Sequence, residues 1–190
     1  MDLEYSYELK IPKDRIAVLI GKHGSVKKEI EQATQTLLRI DSTEGDIRIQ
    51  GKDPLSLLTV KEIIQAIGRG FNPEIAKFLF QQDYAMEILS LPDYVGKSKK
   101  KSVRTKARVI GEEGKARRVI EELTDTRICV YGKTISIIGL VDRVSIAKQA
   151  IEKLFAGSPH STVYQWLERK RKQFYHSPED IELKQDTSSE

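Results

Sequence analysis

The chain has 190 residues, of which 39% are hydrophobic and 32% charged, and its formal net charge is +4. That length holds one large domain or two small ones, and no apolar run approaches the roughly 18 residues that would cross a bilayer. The average charge excludes little, but its distribution is uneven: Lys97 to Arg118 holds ten Lys or Arg against two Glu, whereas Glu179 to Glu190 is mostly acidic and polar.

Leu3, Tyr5, Tyr7, Leu9 and Ile11 alternate with Glu4, Ser6, Glu8 and Lys10, the pattern of a half-buried strand. Pro12 then opens a short helix through Ile16, Leu19 and Ile20, since proline is tolerated in a first turn. Past Gly24, Val26, Ile30 and Ala33 recur at helical spacing. Leu38 with Ile40, and Ile47 with Ile49, predict two short strands joined around Gly45. Asp53 is a candidate N-cap for a third helix, whose apolar stripe is Leu57, Val60, Ile64 and Ile67. "NPEIAKFLFQQ" reads as a connecting helix. Met86, Ile88 and Ser90 begin another strand, "KSKKK" reads as a solvated loop, and "KSKKKSVRTKARVI" leads into a second glycine pair. Ala116, Val119, Ile120 and Leu123 make the next helix. Two strands follow, then the stripe Val144, Ala147, Ile151 and Leu154. "HSTVYQWLERKRKQF" predicts a C-terminal helix in which Val163, Tyr164 and Trp166 pack, and the tail after Ser177 is expected to be disordered.

The two halves repeat one another. When "IGKHGSVKKEIEQATQTLLRID" lies over "IGEEGKARRVIEELTDTRICVY", Gly21 and Gly24 fall on Gly111 and Gly114, an offset of 90 residues. Ile30 then falls on Ile120, Thr34 on Thr124, Thr36 on Thr126 and Arg39 on Cys129. "DIRIQG" (46–51) matches "TISIIG" (134–139) once the hairpin is shortened by two residues. The prediction is a tandem of one small domain with the order β-α-α-β-β-α.

That order, with G-x-x-G between two adjacent helices, resembles the KH domain, and the resemblance covers residues 1–157 as two copies. One G-x-x-G is weak evidence; its recurrence in the same element context is strong. The implied fold is α+β: two tandem KH domains, each a three-stranded sheet with three helices packed on one face, plus a C-terminal helix. The expected boundaries are 1–71 and 85–157 for the domains, 72–84 for the connecting helix, 158–176 for the last helix and 177–190 for the tail. "GKTISIIG", "GSPHSTVYQWLE" and the two-domain length further resemble the archaeal members of the KRR-type small-subunit ribosome-assembly proteins. Their eukaryotic relative partners the PIN-domain endonuclease that trims the 3′ end of small-subunit rRNA. The resemblance implies RNA binding in small-subunit assembly and pre-rRNA 3′-end processing, with no catalysis and no cofactor. It implies contact with small-subunit rRNA near its 3′ end, and as further partners a PIN-domain endonuclease and the α subunit of translation initiation factor 2. A monomer is expected.

Residue chemistry fits this. Glycines without Cβ let a nucleic-acid backbone approach, and a fresh helix N-terminus offers unpaired N–H groups to phosphate. Single-stranded bases would lie across the first two helices and the strand that follows. In the first repeat the candidate RNA contacts are Gly21, Lys22, His23, Gly24, Lys27, Lys28 and Arg39; the bland alternative is a helix–turn–helix with a glycine cap. His23 reads as a hydrogen-bond donor or stacking ring, because no second His, Cys or paired carboxylate accompanies it for acid–base work. In the second repeat the candidates are Gly111, Glu112, Glu113 and Gly114, with Lys115, Arg117 and Arg118 behind them and Arg104 and Arg108 ahead. Two carboxylates at the tip repel phosphate, so this loop is either a relic of the fold or a working site served by the surrounding cations.

The single cysteine, Cys129, excludes an internal disulfide framework and favours a reducing, cytoplasmic compartment. With three scattered histidines it gives no zinc ligand set, so no metal site is expected. The N-terminal "MDLEYSYELK" lacks the layout of a secretory leader. Neither a phosphate-loop signature nor the Rossmann glycine spacing occurs. The alternative to RNA binding is a protein-docking scaffold for a nuclease or initiation factor with little direct RNA contact.

Overall fold

The computed structural model describes residues 5–175, with side chains to residue 173. The expectations for Leu3 and for the tail after Ser177 lie outside the described residues. β1 (Tyr5–Lys10) stops before Pro12, which has no N–H for a ladder, and the fixed φ of that proline (−56°) starts α1 (Lys13–Ile20). A glycine turn separates α1 from α2 (Ser25–Thr34). Gln35 ends α2 in the left-handed region, at φ 53°, and β2 (Leu37–Ile40) and β3 (Asp46–Gly51) follow. Asp53 caps α3 (Pro54–Gly68), accepting from the Leu55 and Ser56 amides at 3.3 and 2.9 Å and from the Ser56 hydroxyl at 2.7 Å. These bonds, with Ser56 first, hold its carboxyl below the ordinary value.

α4 (Pro73–Ala76) and a tighter helical turn over Lys77–Phe80 follow. The second repeat contributes β4 (Tyr84–Ser90), α5 (Leu91–Val95), α6 (Lys99–Ile110), α7 (Lys115–Thr124), β5 (Arg127–Tyr131), β6 (Thr134–Leu140) and α8 (Val141–Phe155); α9 (His160–Tyr175) ends the described chain. The solvated loop expected at "KSKKK" is instead helical from Lys99, because the Ser98 hydroxyl caps α6 by accepting from the Lys101 amide. Both sheets are antiparallel and carry their last strand in the middle, in the orders β1-β3-β2 and β4-β6-β5.

In the first sheet Leu38, Ile47 and Ile49 are buried with Leu19, Ile30 and the α3 stripe, to which the structure adds Ile63 and Ala66. Two apolar expectations differ. Ala33 is exposed, and Tyr5 and Tyr7 are exposed because β1 is an edge strand. The opposite face of this sheet carries Ser6, Glu8, Arg39, Arg48 and Gln50, in cross-strand register. It is the wet face, and Arg48 pairs there with Glu8.

The chain divides into two compact units: the described part of Met1–Ser90 with Arg127–Val141, and Leu91–Thr126 with the described part of Asp142–Glu190. The second sheet therefore belongs to the first unit, where Ile138 shares a core with Phe71, Ala76 and Leu79, and Met86 and Cys129 pack against it. Close approach requires Gly70, at φ +98°: a Cβ there would lie 2.8 Å from Cys129 Sγ. Tyr131 donates its hydroxyl to Asp14 at 2.6 Å, and that carboxylate pushes the phenol above its ordinary pKa.

In the second unit α9 lies along α7. Val163 and Leu167 are fully buried, whereas Tyr164 and Trp166 stay half-buried, with the Lys153 ammonium 5.0 Å from the Trp166 ring.

An arginine ties off the last helix of each repeat. Arg15 donates from Nε to the Ile67 carbonyl at 2.8 Å and from Nη2 to the Phe71 carbonyl at 2.7 Å. Arg108 donates in the same way to Leu154 at 3.1 Å and Ser158 at 2.7 Å. Each pair joins the penultimate helical residue to a carbonyl four positions later. Hydrogen bonds from a charged donor contribute about 1.5–3 kcal/mol each. Arg108→Ala removes both of its bonds and is therefore expected to lower stability by about 3 kcal/mol, the low end for two such bonds, read in denaturant unfolding by the fluorescence of Trp166, the only tryptophan. Single-stranded RNA affinity of the folded variant should stay within about twofold. A large loss of affinity with unchanged stability would return Arg108 to the RNA surface.

Candidate nucleic-acid interface

The two glycine loops have one backbone. Gly21, His23 and Gly24 take φ/ψ of 72/175°, 52/28° and 77/17°; Gly111, Glu113 and Gly114 take 72/179°, 49/27° and 78/11°. The first glycine is required for space as well as for φ. A Cβ on Gly21 would lie 2.5 Å from Val26 Cγ2, and one on Gly111 would lie 2.6 Å from Ala116 Cβ. The second glycine is different: a Cβ on Gly24 or Gly114 would meet nothing within 4 Å. Its open side is where an extended polymer can come against the backbone. His23 and Glu113 occupy the left-handed region at a cost of about 1–2 kcal/mol each. Both side chains, with Lys22 and Glu112, are exposed at the tip.

Immediately after each loop a helix begins with glycine at the N-cap, no side-chain cap and no acidic residue in its first turn. The partial positive charge of that helix end is unopposed by its own side chains. Lys28, Lys115 and Arg118 are exposed beside it. Lys27 and Arg117 also lie there, but each leans on a glutamate one turn on: Lys27 Nζ is 3.8 Å from Glu31 and Arg117 Nε is 3.6 Å from Glu121.

Two candidates stand elsewhere. Arg39 is exposed on the wet face of the first sheet, since Leu38 takes the buried side of β2; it lines a cleft of about 710 Å³ with Glu8, Lys10, Asp46 and Arg48, away from the glycine loop. Arg108 is turned inward onto the α8 end, as described above. Arg104, on α6, is exposed.

α6 also carries a feature that its basic composition hides. Val103, Ala107 and Ile110 follow at helical spacing and are exposed, Val103 at 64% and Ile110 at 36%. The stripe runs up to the glycine loop, with Arg104 beside it, and leaves an apolar surface of the kind on which unstacked bases can lie. Its signal was present in "VRTKARVI" as V-x-x-x-A-x-x-I. On α1 the matching Ala17 is exposed and Ile20 half-buried.

Comparison with known proteins agrees with this geometry. A family model described as an eukaryotic-type (type I) KH domain matches residues 85–172, and a KH-domain model matches residues 6–66. KH domain-containing protein MJ0443 of Methanocaldococcus jannaschii is 48% identical over 167 residues, 86% of this chain and 73% of that protein. The crystal structure of Dim2p from Pyrococcus horikoshii is 46% identical, with a TM-score of 0.80 over 87% of this chain and 99% of that one. A chain in the a/eIF2alpha–aDim2p–rRNA complex from the same organism is 46% identical, with a TM-score of 0.82 over 89% of this chain and 95% of that one. With two G-x-x-G loops of one geometry in two matched domains, the chain belongs to the KH-domain family, as a two-domain protein of the Dim2p type.

Proposed function

We propose that this protein binds single-stranded RNA during small-subunit ribosome assembly, contacting rRNA near its 3′ end and taking no catalytic part. The observation that carries the reading is the duplicated loop: an open glycine followed at once by an uncapped helix N-terminus, twice in one chain. Such a site holds a phosphate by backbone N–H groups and dipole. Adjacent exposed cations add the salt-dependent part of the affinity. The solved complex that contains a/eIF2alpha, aDim2p and rRNA supports extending the RNA and the initiation-factor α subunit to this chain as partners. A role in 3′-end processing beside a PIN-domain endonuclease, and a monomeric state, complete the proposal.

Lys22 and His23 are exposed at the first loop, so replacing both by Asp leaves the core untouched. The double variant is expected to bind single-stranded RNA at least tenfold more weakly. The salt dependence of its affinity should flatten by about 0.7 per lost phosphate contact. A folded variant with unchanged affinity and slope would leave the docking-scaffold reading in its place.

Glu112 and Glu113 decide whether the second loop works. If phosphate passes it, Glu112→Gln with Glu113→Gln removes two repulsions of about 1 kcal/mol each at contact distance in water, and affinity should rise about 30-fold. Ser145→Lys with Gln149→Lys changes net charge by the same amount at two exposed positions on α8. Titration of both variants with one RNA separates local from general charge. Equal gains would remove the second loop from the interface.

A further inference from the structure

Along α3 and onto its C-terminal cap, Lys61, Gln65 and Arg69 follow at four-residue spacing, so one row carries two cations and an amide. Together with Tyr7 on β1 they line a cleft of about 150 Å³ that no carboxylate lines. The Lys61 ammonium stands 4.5 Å from the centre of the Tyr7 ring. Lys10 is at the rim, but its ammonium is directed to Asp46 at 3.3 Å. The Nε of Arg69 is buried and meets no acceptor among the described residues. Buried cationic donors are ordinarily satisfied, so this one needs an explanation.

Capping of α3 does not supply it. Gln65 O accepts from the Arg69 amide at 2.9 Å, Ala66 O from the Phe71 amide at 3.2 Å, and Ile67 O from the Gly70 amide at 3.0 Å and from Arg15 Nε at 2.8 Å. These carbonyls are occupied, and the Arg69 guanidinium is not needed for them.

We propose that the cleft binds one phosphate group. A space of about this volume holds a guest of six heavy atoms, and a phosphate has five. Arg69 presents a planar fork suited to two phosphate oxygens, Lys61 adds a point charge, and Gln65 a neutral donor. The site is separate from both glycine loops and does not depend on the function proposed for them. Inorganic phosphate and the backbone of a bound RNA strand share the required chemistry.

Phosphorus NMR of the full chain, titrated with inorganic phosphate at constant ionic strength, reads the site directly. A parallel titration with single-stranded RNA identifies the source. Loss of phosphate binding by tenfold or more in Arg69→Gln or Lys61→Gln, with added RNA not competing, assigns free phosphate. The same loss with RNA displacing the ion, or a tenfold loss of RNA affinity in these variants, assigns the strand. Lys61→Gln alters a half-buried surface side chain, so the test stands even if the Arg69 variant fails to fold. Folded variants that bind both phosphate and RNA as the native chain does overturn the proposal.

Discussion

Gly21 and Gly111 hold φ 72° where the atoms of the residue five positions on leave no room for a Cβ. That one steric constraint lets a helix stop and its neighbour start within four residues without the two moving apart. Everything proposed for the interface depends on this junction. It brings the open second glycine to the tip, sets the first turn of α2 and α7 beside it, and ends the outer stripe of α6 at the loop. The side chains between the glycines do not shape it. Lys22-His23 and Glu112-Glu113 differ in charge, yet their φ/ψ values agree within a few degrees.

The element order was legible because the two repeats obey the same local rules. Thr34 and Thr124 each donate back one turn at 2.7 Å and meet Thr36 and Thr126 at 2.8 and 2.9 Å, so the end of the second helix was aligned by residues that make it. The place of each sheet was also written in the sequence, though less openly. "DIRIQG" alternates and belongs to a sheet with one face in water; "TISIIG" barely alternates and belongs to a strand buried on both faces. In the registers observed, the positions of Ser6, Glu8, Arg48, Gln50 and Arg39 are taken in the second sheet by Met86, Ile88, Ser136, Ile138 and Cys129. The alignment of Arg39 with Cys129 therefore marks a wet face in one repeat and a covered face in the other.

Side-chain direction was the part that spacing could not supply. Arg108 belongs to a basic run and Arg15 does not, yet both do the same work on the carbonyls that end the last helix of their repeats. They sit three positions apart in the repeat alignment, one turn of helix, so an alignment of types hides the equivalence. The apolar stripe on α6 was missed for the opposite reason. A segment rich in Lys and Arg was read by charge, and its period went unread.

The same geometry constrains how the second repeat can hold a strand. α6 has 12 residues against 8 in α1, and its added turn carries Lys99, Lys100 and Lys101. At 1.5 Å per residue, Arg104 lies about 10 Å and Lys100 about 16 Å along the axis from Gly111. Screening at 0.1 M salt acts over about 10 Å, so a phosphate at the loop feels Glu112 and Glu113 strongly and the added turn hardly at all. Beyond the exposed Lys115 and Arg118 at the start of α7, further attraction comes only if the strand extends back along α6. On the proposed reading, that path would lay bases on the exposed Val103, Ala107 and Ile110 while phosphates pass Arg104 and Lys100. The first repeat has no such path: its Asp14, aligned with Arg104, accepts the Tyr131 hydroxyl, and its cations sit at the loop itself. On the proposed RNA-binding reading, the first repeat would therefore meet phosphate chiefly at its loop, and the second along a longer tract of strand.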